Sequence, residues 1–172
     1  MQPEYLQLID TETSGNRCDV TPLFADHAAF SALVDDITEA FSKIAFDYVA
    51  GIDALGFILA SAVAIRAERG FIPIRKGGKL PVETRVVTFM DYSKTEKSLE
   101  VRADLDLSGA RILLVDEWIE TGAQVSAAVS LLEAQGSKIA GIATINMDEN
   151  DTTLLLREKY HCHQVWPKEG FL

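Results

Sequence analysis

Short apolar runs alternate with helix-patterned stretches along the chain, and that alternation narrows the fold more than any single motif. The runs are DYVAGI (47–52), FIPI (71–74), ILLV (112–115) and the apolar segment 139–147. A mostly apolar helix is expected over 54–69, ended by Gly70 at a C′ position. Another is expected from Gln124 to Gln135, with Val125, Ala128, Val129 and Leu132 on one face. Asp26 can cap an earlier helix that carries Phe30, Leu33, Val34, Ile37, Phe41 and Ile44 at helical spacing. Asp151 to Tyr160 reads as a helix and His163 to Trp166 as a last short strand. Strands that alternate with helices need crossover connections, which means an α/β fold with a mostly parallel sheet. In such sheets ligands bind beyond the carboxyl ends of the strands, here at Asp53, Arg75 and Asp116. Val86–Met90 and Ser98–Arg102 read as two strands around the charged connection DYSKTEK, which has the composition of a mobile loop. RKGGKLP (75–81) is a loop by its glycines and proline.

A length of 172 residues suits one domain, 1–172, with a sizeable core. The longest apolar run, 54–65, is shorter than the roughly 18 residues that span a bilayer, so no membrane partner is expected. MQPEYLQLID lacks the basic and apolar regions of a signal peptide. Cys18 and Cys162 lie far apart and suggest neither a disulfide framework nor a zinc site, which favours a cytoplasmic location. The net charge of −10, from 16 basic and 26 acidic residues, argues against a nucleic-acid binder. A small polyanion needs only a local basic cluster, and Arg75, Lys76 and Lys79 supply one.

The segment ILLVDEWIETGAQ (112–124) concentrates the chemistry. Asp116 and Glu117 follow the apolar run directly, at the carboxyl end of a central strand expected over Arg111–Asp116. Paired carboxylates there can accept hydrogen bonds from adjacent sugar hydroxyls, or hold Mg²⁺ through oxygen ligands. Thr121 to Ala123 then open a helix, whose free N–H groups and positive dipole end suit a phosphate. A diol next to a phosphate describes a ribose 5-phosphate pocket. The plainer alternative is a capped helix after a strand, with Glu117 and Glu120 only complementing the dipole. The segment has neither the Gly-Lys-Ser/Thr ending of a Walker loop nor a Gly-x-Gly-x-x-Gly fingerprint.

ILLVDEWIETGAQ resembles the phosphoribosyl-diphosphate (PRPP) motif of type I phosphoribosyltransferases. DVTPLFAD (19–26), DYVAGIDALGF (47–57) and GFIPIRKGGKLPVET (70–84) resemble the adenine-specific branch in order and spacing, and the likeness spans about 17–147. It implies the type I fold: a mostly parallel central sheet flanked by helices, with a mobile loop over the active site. It also implies that a purine base attacks C1 of PRPP and pyrophosphate leaves with Mg²⁺, in purine salvage, with positioning and charge stabilisation as the protein's task. By position, Asp116 and Glu117 would hold the ribose hydroxyls, and Thr121, Gly122, Ala123 and Gln124 the 5-phosphate. Asp53, Ala54 and Leu55 would form the pyrophosphate loop. Arg75, Lys76 and Lys79 would face pyrophosphate, from a neighbouring subunit if the chain is a homodimer. Arg17 and Cys18 fall on the base side, and Asp91-Tyr92 match the Glu-Tyr of the mobile catalytic loop.

The chain departs from that pattern at several positions. Leu55 stands where an Arg is usual, which should weaken pyrophosphate binding. Glu117 replaces Asp, Ala123-Gln124 replace Gly-Thr, Arg17-Cys18 replace Phe-Arg, and Asp91 replaces Glu ahead of about two extra residues. Glu120 replaces Ala, as in several 6-oxopurine enzymes, where an acid near base N7 can transfer a proton. Besides the adenine reading, two others follow: a transferase for a 6-oxopurine or other base, and a non-catalytic regulator that binds PRPP or nucleotide. HCH (161–163) would put two His on one side of a strand, but a packed strand edge explains them without a metal. Trp118 reads as packing or base stacking, Trp166 and Phe171 lie where the C-terminal region can touch the base, and Phe57, Ile58 and the run that follows read as core.

Overall fold

A computed structural model describes residues 3–14, 18–91 and 94–166. The strands are β1 (Tyr48–Ile52), β2 (Gly70–Lys76), β3 (Thr84–Met90), β4 (Glu96–Arg102), β5 (Arg111–Ile119), β6 (Lys138–Met147) and β7 (Cys162–Gln164). The helices are α1 (Thr21–Ala25), α2 (His27–Ala40), α3 (Leu55–Arg66), α4 (Ala123–Glu133) and α5 (Asp151–Lys159), with a 3-10 turn at Glu4–Leu8. The strands form one sheet in the order β3-β4-β2-β1-β5-β6-β7. Pairings among β2, β1, β5, β6 and β7 are parallel, and β4 runs antiparallel to β2 and β3. The α/β architecture expected from the alternation is therefore the one observed.

Alternation along the strands divides the core into two layers. Val49, Leu113, Val115, Ala143 and Ile145 pack with Leu33 and Ile37 of α2 and Leu59 and Val63 of α3. Ala50, Ile52, Ile72, Ile74, Leu99 and Ile112 pack on the other face with Val125, Ala128 and Leu132 of α4. Asp26 caps α2 as expected, accepting from Ala29 N at 2.8 Å. The short α1 and the 3-10 turn went unforeseen, because five residues hold too little periodicity to register.

Several boundaries differ from expectation, among them the last strand, which is Cys162–Gln164 rather than His163–Trp166. Helix α3 stops at Arg66, and Glu68 takes the positive φ of 55° that reverses the chain. Gly70 is therefore not a C′ residue but the first residue of β2. It pairs with Tyr48, whose ring leaves no room for a side chain: a Cβ would meet it at 2.9 Å. Arg75 and Lys76 belong to β2 rather than to a loop, because each pairs with β4. The β3–β4 hairpin is also longer than expected. Its ladder reaches Met90 and Glu96, and Asp91 N to Thr95 O (3.0 Å) closes the turn. His161 and His163 set their rings edge-on to Phe41, at 5.3 and 6.3 Å, so that packing accounts for HCH.

Candidate active site

Sequence order reverses direction across β1: β2 lies on one side of it and β5 on the other. Such a switch point opens a crevice at the carboxyl ends of the strands. A cavity of about 740 Å³ occupies it, lined by Asp53, Ala54 and Leu55 after β1 and by Asp116 to Gln124 after the paired part of β5. Strand β5 outruns its neighbour. Pairing with β1 ends at Gly51–Val115, whereas pairing with β6 continues to Ile119–Met147. Asp116 and Glu117 thus lie on the side that β1 has vacated, and the strand expected to end at Asp116 continues to Ile119.

The two carboxylates sit in unlike environments. Asp116 is 4 % exposed, while Glu117 is half-buried. Burial pushes the Asp116 carboxyl well above the usual carboxylate range, and the charge of Glu117 adds to the rise; the Gln124 side chain acts in the opposite sense. Asp116 Oδ1 accepts from Glu117 N at 3.0 Å. Gly56, in the first turn of α3, makes room for Asp116: a Cβ there would lie 2.6 Å from Oδ1. The cavity therefore holds a carboxylate whose charge is costly until a donor or cation reaches it.

The phosphate-friendly turn also forms. Gly122 adopts a φ of 78° at the N-terminus of α4, and Thr121 Oγ1 accepts from Ala123 N at 3.3 Å. Asn150 holds this turn from behind. Its Nδ2 donates to Glu120 O at 2.7 Å, while its Oδ1 caps α5 through Thr152 N and Thr153 N, both at 3.1 Å. Asn150 escaped the sequence reading because its partner is 30 residues away. Only its position before a helix, suited to an N-cap, gave a signal. Trp118 lines the cavity and meets the buried Trp166 edge-on, with ring centroids 5.8 Å apart.

The basic cluster divides. Neighbouring residues of a strand point to opposite faces. Lys76 shares the parity of Ile72 and Ile74, which face α4, and it lines the cavity. Arg75 and Lys79 do not line it. Arg75 turns to the other face, where Nη1 donates to Lys79 O at 3.1 Å and Nε lies 3.9 Å from Asp53 Oδ2. That face also holds Glu100, which the sequence reading passed over as a strand residue. The buried Glu100 carboxylate accepts from Gly78 N (3.0 Å), Lys79 N (2.6 Å) and Leu80 N (2.6 Å), fixing the loop after β2. Burial alone would raise its pKa, but these N–H groups and the Arg75 charge hold it below the ordinary value.

The remaining wall comes from the hairpin and the N-terminal region. Phe89, Asp91, Glu96, Lys97 and Ser98 line it on one side, Cys18 and Val20 on the other. Asp91 Oδ1 accepts from Thr95 N at 3.0 Å, and Oδ2 lies 3.9 Å from Lys97 Nζ. Burial, with Asp148 and Asp10 nearby, raises the Cys18 pKa, so the thiol is a neutral wall element. Arg17, Tyr92 and Phe171 lie outside the described residues.

Known proteins share this arrangement. Residues 26–168 match the family model described as "Phosphoribosyl transferase domain". The adenine phosphoribosyltransferase of Streptomyces coelicolor is 41 % identical over 128 residues, 74 % of this chain and 69 % of that protein. The adenine phosphoribosyltransferase of Thermoanaerobacter pseudethanolicus superposes with a TM-score of 0.83 at 29 % identity, covering 94 % of this chain and 96 % of that one. The Saccharomyces cerevisiae enzyme, solved with adenine and an imino-altritol bisphosphate, gives 0.80 at 25 % identity, covering 95 % and 97 %. The family model, matched over most of the chain, and the relative at 41 % identity place this protein in the phosphoribosyltransferase family.

Proposed function

We propose that this chain is an adenine phosphoribosyltransferase of purine salvage, which joins adenine to PRPP and releases pyrophosphate. The observation that carries the reading is the convergence, in one switch-point cavity, of Asp116 and Glu117, the Thr121–Gln124 turn and the Asp53–Leu55 segment. The relatives add the base, since those at about 40 % identity are adenine enzymes.

In this reading Asp116 and Glu117 accept the ribose hydroxyls, and the N-terminus of α4 receives the 5-phosphate. Asp53, Ala54, Leu55 and Lys76 border the pyrophosphate. The N9–C1 bond forms as the C1–oxygen bond to pyrophosphate breaks, and the N9 proton leaves to a carboxylate. Asp91 and Glu120 are the candidates, and closure of the hairpin over the cavity excludes water. Cys18 and Trp118 flank the base, with Arg17 assigned there by sequence position alone. Among the described residues no group of three or more His, Cys, Asp or Glu side chains could hold a metal. The donor set of Asp116 and Glu117 fits a hard ion that arrives on the ligand's own phosphate oxygens. Mg²⁺ bound in that way would neutralise charge on the departing pyrophosphate.

A homodimer belongs to the same reading, because Arg75 and Lys79 do not line their own cavity and would serve a neighbour's. A cytoplasmic setting fits the two free cysteines, and no described helix is long and apolar enough to cross a membrane. Glu120, a carboxylate in the cavity wall, favours a second reading in which the base is a 6-oxopurine. Incubation with PRPP, Mg²⁺ and each purine base, followed by pyrophosphate release, tests both.

A further inference from the structure

The cavity poses a charge problem. Among the described residues, Asp53, Asp91, Glu96, Asp116, Glu117 and Glu120 line it, against the cations Lys76 and Lys97. The proposed substrate carries phosphates at both ends, yet Leu55 and Gln124, which line the cavity in the segment after β1 and in the first turn of α4, carry no charge. Phosphoryl oxygens in such a cavity need every cation within reach.

We propose that Lys97 is a phosphate-binding residue of this cavity, supplying from β4 a charge that the pyrophosphate loop and the 5-phosphate turn lack. This rests on the phosphoribosyl-transfer reading above and adds a residue to it. Directly opposed residues of an antiparallel pair project to the same face, and Lys76 lies opposite Leu99. Lys97 is two residues from Leu99 on the same strand, so it shares that face. Lys76 and Lys97 are therefore diagonal neighbours, with backbones about 7–8 Å apart by ordinary sheet geometry. The face is the one on which Leu99 and Val101 pack with Val125 of α4, the helix that begins at the phosphate turn.

Lys97 is also placed by regular structure. Its backbone pairs with Phe89 in the β3–β4 ladder. Its present partner is loosely held: Nζ lies 3.9 Å from Asp91 Oδ2, and the Lys97 side chain is 53 % exposed. An ion pair of that length in contact with water contributes little. A phosphate carrying two charges in the cavity would draw the ammonium from Asp91. That exchange would leave the Asp91 carboxylate without its lysine as the ligand enters, which suits a group assigned to receive a proton.

Three proteins test this: the wild type, Lys97→Ala and Lys97→Arg. With adenine, Mg²⁺ and varied PRPP, Lys97→Ala is expected to raise the KM for PRPP about tenfold, the loss of one charge-assisted contact. The KM for adenine stays within about twofold, and Lys97→Arg recovers most of the loss. A PRPP KM within about twofold of wild type in Lys97→Ala overturns the proposal. Calorimetry with inorganic pyrophosphate and with ribose 5-phosphate identifies the end of the substrate concerned. Weakening confined to pyrophosphate assigns Lys97 to the leaving group, and weakening confined to ribose 5-phosphate assigns it to the 5-phosphate. Unchanged binding of both overturns the proposal. If the wild type turns over no purine, the transfer reading fails, while the two titrations still decide whether Lys97 binds phosphate.

Discussion

At the scale of the residue, Asp116 sets function against stability. Its folded pKa lies above the unfolded value because burial disfavours the charge. A group shifted in that direction costs stability above its folded pKa, and the cost disappears as pH falls toward the unfolded value. Asp116→Asn removes the buried charge and keeps the shape. It should therefore melt higher than the wild type at pH 7, and the gap should close toward pH 4. In the proposed reading the same change removes an acceptor for the ribose diol, so kcat/KM for PRPP should fall roughly 100-fold or more. Thermal scans at the two pH values and steady-state kinetics check both halves; a less stable Asn variant would contradict the burial account. Asp116 and Glu117 were legible in the sequence as a pair because they break an apolar run. Their different environments were not, because Gly56 and Gln124, which shape the Asp116 site, come from two different helices.

At the scale of the element, the loop between β2 and β3 illustrates what local sequence leaves open. Glycine and proline correctly marked a break in RKGGKLP, but three cations within five residues looked like one patch. Strand parity separates Lys76 from Arg75, and the loop's conformation depends on Glu100, some 20 residues away. Removal of this carboxylate should release the loop. Glu100→Ala is expected to cost about 1–2 kcal/mol, since three N–H groups lose an ionised acceptor and only part of that is recovered from water. Because the folded pKa of Glu100 is lowered, its contribution is present above the unfolded pKa and is lost as pH falls through the lowered folded value. The difference between wild type and Glu100→Ala in denaturant titrations should thus be large at pH 7 and small at the acid limit of folding. Equal differences at both would assign the effect to packing alone. Strand and helix types were legible wherever the pattern ran for several residues. Boundaries failed where pairing decided them, as at Gly70, which Tyr48 requires to be small, and at Ile119, where β6 extends β5 beyond β1.

At the scale of the whole molecule, the fold places loops distant in sequence around one crevice, and the switch point between β2, β1 and β5 locates it. The alternation of strands and helices made this architecture legible, and the PRPP-like segment named the crevice. The far wall was less so, because Lys97 and Ser98 join the cavity only once the hairpin folds beside β2. Contrary to the expectation that Ile58 and the run after it are core, helix α3 leaves an apolar stripe outside the core: Leu55, Ile58 and Ile65 are 37, 43 and 80 % exposed. Their spacing puts them on one side of the helix, beginning at the cavity rim. A second copy covering this stripe would bring another subunit to the mouth of the site. Sedimentation equilibrium should return twice the chain mass of 18.9 kDa, and Ile58→Glu should lower it toward the monomer. A wild-type protein that sediments as a monomer at micromolar concentration would remove the dimer, along with the role of Arg75 and Lys79 across it.

In the proposed reading this cavity transfers a phosphoribosyl group to adenine. The most direct measurement is turnover of PRPP with Mg²⁺ and, separately, adenine, hypoxanthine and guanine, read as pyrophosphate and nucleotide formed. Equal amounts of pyrophosphate and AMP are expected with adenine, and a lower kcat/KM with the two 6-oxopurines. Saturable PRPP binding without pyrophosphate release from any of the three bases would contradict it.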